Sequence, residues 1–254
     1  IFAMFSLHHR INRILIKLSY RFGVSKLLSM PKMLALDPTN LCDLKCPLCP
    51  TGLRDKTVER GSIKLEQFKT IIDRLAKHLQ SINLYSWGEP LLHKSLVDMI
   101  RHTAISHKVR TITSVHLGNL SDEQVEGIMV SGLDKLIVSV DGATQEVYEK
   151  YRVGGDIGKV FNNMRRLMEA KKRLNSKVNV VWNFLVMKQN EHQMDMARER
   201  AKEIGVDITF SIMRNNLKDD IVGKVEDNIE NDAEWIQENP DFNPYDVEQK
   251  KHKN

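Results

Sequence analysis

Cysteine is scarce: the 254 residues hold only three, and none follows Cys49. An odd number leaves one thiol unpaired, which excludes a disulfide framework. No apolar run approaches the roughly 20 residues that a membrane-spanning helix needs. Between Ile1 and Leu36 there is no aspartate or glutamate. Aromatic residues make up only 6% of the chain and do not interleave with its basic residues, so a nucleic-acid partner is not expected. Solenoid repeats and low-complexity tracts are absent as well. What remains, 41% hydrophobic and 28% charged with a net charge of +5, is the composition of a globular chain long enough for one large core.

The three cysteines fall within eight residues, Cys42-Asp-Leu-Lys-Cys46-Pro-Leu-Cys49. Offsets of four and three turn side chains toward one centre in a compact loop, as on one helix turn. A spacing this short strains any internal disulfide. Close thiolates are soft ligands, suited to zinc or to an iron–sulfur cluster. A cluster normally takes four thiolates, so three leave one iron open to a ligand that is not protein. The zinc alternative needs a distant histidine, with His93, His102 and His107 as candidates. Zinc ligands usually come as two separated pairs and no second pair exists, so the spacing favours the cluster.

Strand-like apolar runs are Met33–Asp37, Ile82–Ser86, Arg110–Val115, Lys135–Val140, Val178–Met187 and Ile208–Met213. Helical periodicity lies between them, over Leu65–Leu79, Ser95–Ile105, Asp122–Val130, Ile157–Leu174 and Glu191–Ile204. Ser121 with Gln124 reads as a capping box and Asn190 with Gln193 as a weaker one. Gly132 and Gly205 stand where left-handed helix caps are expected. Strands alternating with helices imply parallel pairing through crossovers. The fold class is therefore α/β, an open (β/α)6 partial TIM barrel over residues 33–213.

Two extensions flank it. Residues 1–32 read as a basic amphipathic helix, with Ile11, Ile14, Leu15, Leu18 and Phe22 on one face and Arg10, Arg13, Lys17 and Arg21 beside it. The simplest expectation is that the apolar face packs on the barrel. A basic amphipathic helix also suits an anionic membrane surface, making residues 1–30 a candidate peripheral membrane contact, and an acid-free, Arg-containing start resembles a transit peptide. The chain starts at Ile rather than Met, so its natural start is expected to lie upstream. Residues 214–254 are acidic, punctuated by Pro240 and Pro244, and too poor in apolar residues to form a core. They read as a linker or docking tail whose anchors are Trp235, Phe242 and Tyr245.

The cysteine triplet after an apolar strand (Met33–Cys42), with a second strand ending in Gly88-Glu89-Pro90, resembles the radical S-adenosylmethionine superfamily. Val138–Gly155 and Phe184–Glu191 look like the fourth strand with its following helix and the fifth strand of the subgroup with a SPASM or twitch extension. The resemblance covers roughly residues 33–213. It implies a [4Fe–4S] cluster on Cys42, Cys46 and Cys49 and S-adenosyl-L-methionine on its open iron. Reductive cleavage would then give a 5′-deoxyadenosyl radical that abstracts hydrogen from a peptide, sugar or small-molecule substrate. An electron donor such as flavodoxin or ferredoxin, and a cytoplasmic setting, go with it.

The resemblance makes Glu89 the carboxylate that meets the cofactor's ammonium, with Gly88 and Pro90 beside it. Ser114 and Ser139 become contacts to the cofactor's polar groups, Arg152 a partner for its carboxylate, and Leu48 and Met187 candidate adenine contacts. His116 stands where Asn is usual and reads as a loop histidine, Asp141 orders an Asp-Gly turn, and a surface salt bridge is the alternative for Arg152. In relatives with the extension, a Cys-rich auxiliary-cluster domain would follow; the chain is expected to stop short of one, or else to be a single-cluster enzyme. The reading from a different class is a non-catalytic iron–sulfur or zinc module that docks a partner.

Overall fold

The computed structural model describes residues 7–54, 56–212 and 235. After helix α1 (Leu7–Phe22), strands β1 (Met33–Ala35), β2 (Ser81–Asn83), β3 (Arg110–Val115), β4 (Lys135–Ser139), β5 (Asn179–Val186) and β6 (Asp207–Ile212) form one parallel sheet in sequence order. Helices α2 (Leu65–Leu75), α3 (Leu96–Arg101), α4 (Asp122–Met129), α5 (Gln145–Tyr151), α6 (Ile157–Arg173) and α7 (Met194–Ile204) fill the crossovers. β1 and β6 stay on opposite edges, so the barrel is open, as expected.

Because successive strand side chains face opposite ways, β3 to β5 divide their residues between two faces. Val115, Val138, Trp182 and Phe184 join the main core with helix residues such as Phe68, Ile72, Met99, Ile128 and Met164. Ser114, Ser139, Asn183 and, on β6, Ser211 face a cavity instead. Trp182 anchors the core: its indole donates to the Val140 carbonyl at 2.8 Å and packs between Phe161 and Phe184. The Ser121–Gln124 capping box forms at the start of α4, and Gly132 and Gly205 take φ of 84° and 81°.

The structure departs from expectation in several places. β2 ends at Asn83, and Tyr85–Trp87 turns out to line the cavity rather than extend the strand. The short helix α5, outside the periodic stretches, falls in the helix that the Val138–Gly155 resemblance implied, between β4 and α6. Asn190 caps no helix with its side chain; it is fully buried, donates to the Asp141 and Leu185 carbonyls and accepts from the Met187 N–H. The apolar face of α1 does not pack on the barrel, since Ile11, Ile14, Leu18 and Phe22 are exposed. α1 is tied instead to the segment after it, where Asn12 exchanges two hydrogen bonds with the backbone of Met30. Of the three anchors expected in the tail, Trp235 lies against the barrel: its ring is 5.7 Å from Tyr151, and its carbonyl accepts from the Lys188 N–H. Phe242 and Tyr245 lie outside the described residues.

Candidate metal and cofactor site

The cysteine loop leaves β1 at the C-terminal rim of the sheet, where parallel barrels gather their chemistry. It is pinned from several directions. Lys45 N–H donates to the Val153 carbonyl, Cys49 N–H to Cys46, and Leu53 N–H to Cys49. Beneath it, Leu44, Cys46, Tyr151 and Met187 form a small buried cluster. A Cβ at Gly52 would lie 2.3 Å from the Cys46 carbonyl oxygen, so only glycine lets the chain return this closely.

The second rim loop, after β2, interlocks with the first. A Cβ at Gly88 would lie 1.8 Å from the Thr39 carbonyl oxygen. Glu89 N–H donates to the Leu41 carbonyl, and the Asp37 carboxylate accepts from the Trp87 N–H at 3.0 Å. The bare Cα of Gly88 thus serves loop-to-loop contact. Burial raises the Asp37 carboxyl above its ordinary value, against the pull of the Trp87, Ser86 and Gly88 N–H groups. Asp37 was not among the residues singled out from sequence.

Glu89 lines the cavity and also bonds the backbone. It is 3% exposed, and its two oxygens accept from the N–H groups of Leu91, at 3.1 Å, and His116, at 2.7 Å. Its carboxylate therefore holds the turn Pro90–Leu92 against the end of β3, and Pro90 is buried as the first residue of that turn, outside the cavity lining. Burial raises the Glu89 carboxyl, partly offset by the His116 ring 3.4 Å away.

His116 is no ordinary loop histidine. It is 5% exposed, with Nε2 2.7 Å from Asp43, and Asp43 also accepts from Asn119. The Gly118 N–H points at Nδ1 and favours the neutral ring. Burial acts in the same direction, yet the Glu89 and Asp43 carboxylates outweigh both and raise the imidazole above its usual value. Reciprocally, the His116 hydrogen bond lowers the Asp43 carboxyl. Cys42, Asp43 and His116 bring ligand atoms within 4.8 Å of one another. The histidine nearest the thiols is thus His116, and the three expected candidates are elsewhere. His93 accepts from Ser95 and bonds the Ile63 carbonyl, while His102 and His107 both meet Asp73.

A cavity of about 490 Å³ opens between the two loops and the strand ends, a size that suits a small-molecule cofactor. Cys42, Cys46, Leu48, Cys49, Gly88, Glu89, Ser114, Ser139 and Arg152 all line it. The Ser114 and Ser139 hydroxyls lie 3.1 Å apart. Cys49 Sγ is 4.0 Å from the Trp87 carbonyl oxygen, which brings a backbone acceptor next to the thiols. Met187 is not in the lining: it is fully buried under the loop, where it packs with Cys46. Arg152 makes no surface salt bridge. Its Nε donates at 2.6 Å to Asp141, which is wholly buried and also accepts from the Leu185 N–H. Asp141 is therefore the bridge between α5 and β5 rather than a turn residue alone.

All three cysteines are free. Burial pushes the Cys46 thiol up to about 11 and raises Cys49, with Cys42 adding to both and Cys49 to Cys46. Among the described residues, the groupings tight enough for one ion are Cys42 with Asp43 and His116, and Asp73 with His102 and His107; the three thiols together do not make one. A donor set of three thiols spread wider than a single ion allows fits a polynuclear cluster better than mononuclear zinc, whose Zn–S bonds are only about 2.3 Å.

Residues 36–201 match the family model described as the Radical SAM superfamily. The chain belongs to that superfamily. Its family brings a [4Fe–4S] cluster and S-adenosylmethionine, and the thiols, the Trp87 carbonyl and the polar strand ends fit that pair. An AdoMet-dependent heme synthase of Methanosarcina barkeri is 27% identical over 69% of this chain and 48% of its own length. A PqqA peptide cyclase of Rhodopseudomonas palustris is 28% identical over 73% of the chain and 47% of its own. The chain thus spans about half the length of these curated relatives. Among solved structures, SuiB of Streptococcus suis bound to S-adenosylmethionine superposes with a TM-score of 0.63 at 15% identity, covering 81% of this chain and 46% of that one. That is a likeness of radical SAM fold.

Proposed function

We propose that this chain is the catalytic core of a radical SAM enzyme that takes hydrogen from its substrate. The observation that carries the reading is the meeting of three thiols with the Trp87–Glu89 segment and the Ser114–Ser139 pair in one rim cavity. Cys42, Cys46 and Cys49 would hold the cluster. The Trp87 and Gly88 backbone would face the cofactor's ammonium, with Glu89 positioning that edge rather than binding it. Leu48 would offer an apolar contact, and Arg152, fixed by Asp141, a cation for a carboxylate. When bound, the cofactor pair supplies one-electron cleavage to a 5′-deoxyadenosyl radical; the protein orients it and excludes water. Of the expected substrate classes, a peptide comes first, in view of the peptide cyclase among the relatives. An electron donor such as flavodoxin or ferredoxin would reduce the cluster.

The test is reductive cleavage. Protein reconstituted anaerobically with iron and sulfide, then reduced, should turn S-adenosylmethionine into equal amounts of 5′-deoxyadenosine and methionine. Cluster without 5′-deoxyadenosine would favour the non-catalytic module instead. In the same assay Glu89→Gln should keep the cluster. It removes one acceptor from two backbone donors, a loss of about 1–3 kcal/mol, and cofactor affinity should fall roughly tenfold as the edge shifts. An unchanged binding constant would show that the carboxylate does not set the edge.

We infer for α1 a contact with anionic lipid. The exposed Leu7, Ile11, Ile14, Leu18 and Phe22 run beside the exposed Arg10, Arg13, Lys17 and Arg21, and this pairing of an apolar with a basic stripe matches an anionic interface. No helix among the described residues is long and apolar enough to cross a membrane. The protein should co-sediment with phosphatidylserine vesicles, less with neutral ones or at high salt. Equal recovery with and without vesicles would count against the contact.

A further inference from the structure

α3 does not run straight into the connection before β3. It passes into a π-helical turn, His102–Ser106, and then into Lys108, which holds a left-handed φ of 55°. Both features are unfavourable for residues of this kind and tend to persist where a site requires them. Their consequence is local. Residues five apart on an α-helix point about 140° away from each other, whereas the wider π turn brings positions five apart together. His102 and His107 are five apart, and their rings stand 4.9 Å apart at 76°. Each presents Nε2 at 2.7 Å to the same oxygen of Asp73, in the last turns of α2. The three ligand atoms lie within 4.8 Å of one another. The imidazoles are half-buried, their side chains 19% and 26% exposed, while Asp73 is open to solvent.

We propose that Asp73, His102 and His107 form a binding site for a divalent transition-metal ion, zinc in the first instance. Two imidazoles and one carboxylate are donors that suit zinc, nickel or copper, and three protein ligands leave room for water. At present each Nε2 is committed to one shared acceptor. An ion would replace those two hydrogen bonds with coordinate bonds once both rings carry their proton on Nδ1. The site joins α2 to the loop that enters β3, so it lies at the N-terminal ends of the strands, at the opposite end of the sheet from the cysteine rim. It takes no part in the radical chemistry. Its role is a clip between two crossovers, which stabilises the folded state in proportion to ion occupancy.

Cluster-loaded protein titrated with cobalt(II) is the direct probe. The expected result is one added cobalt per chain at micromolar concentrations, with visible d–d bands, displacement by zinc, and a rise in melting temperature reversed by chelator. His102→Gln/His107→Gln should lose the cobalt and keep the iron. If that pair of substitutions costs the iron too, Asp73→Asn decides, and at least a tenfold loss of cobalt affinity is expected. Cobalt that fails to bind the holoprotein, or that binds these variants as well as the original, overturns the site.

Discussion

Replacing any one of Cys42, Cys46 and Cys49 by alanine is expected to abolish the iron–sulfur cluster and, with it, all formation of 5′-deoxyadenosine. The loss should be complete rather than graded, because the chain has no fourth cysteine to substitute. Ligation takes these thiols as thiolates and so releases their protons, and burial holds Cys46 and Cys49 above their ordinary range. Iron and sulfide analysis with the visible absorption of the cluster would check it. Zinc bound in place of iron, lost from each cysteine variant, would sink the reading. Zinc that survives those substitutions belongs to Asp73, His102 and His107, so the two metal assignments fail separately.

The largest effect on stability should come from Asp141→Ala. Asp141 is fully inaccessible and engages both Arg152 and the Leu185 N–H. Removing it leaves a guanidinium, 18% exposed, without its anion. Breaking one side of such a pair typically costs about 3–5 kcal/mol. Urea unfolding of the variant would measure it, and the doubly altered Asp141→Ala/Arg152→Met should recover part of the loss, since no charge is then stranded. A cost under about 1 kcal/mol, the value of a solvated pair, would mean that water replaces the aspartate.

Much of the barrel was legible because it rests on local rules. Apolar strand runs, the Ser121–Gln124 box and the glycines at 132 and 205 each declare themselves within a few residues. The cysteine loop was legible for the same reason. Side-chain direction at the rim was not, because it depends on loops far apart in sequence. Glu89 meets the N–H of His116 only because β3 ends there. Met187 and Arg152 likewise take their roles from partners in other crossovers, Cys46 and Asp141. The amphipathic pattern of α1 showed that one face seeks cover, but not what covers it. The pairing of His102 with His107 was hidden because a spacing of five looks divergent unless a π turn intervenes.

The interlock at Gly88 has a thermodynamic consequence. Fixing one residue's backbone costs about 1–2 kcal/mol, and the two rim loops carry that cost during folding, through Gly88 against Thr39 and Glu89 N–H to Leu41. Cofactors that arrive later meet a receptor already shaped, and their binding energy is not spent on ordering it. A side chain at 88 would therefore weaken affinity by parting the two loops and returning that entropy cost to the binding step.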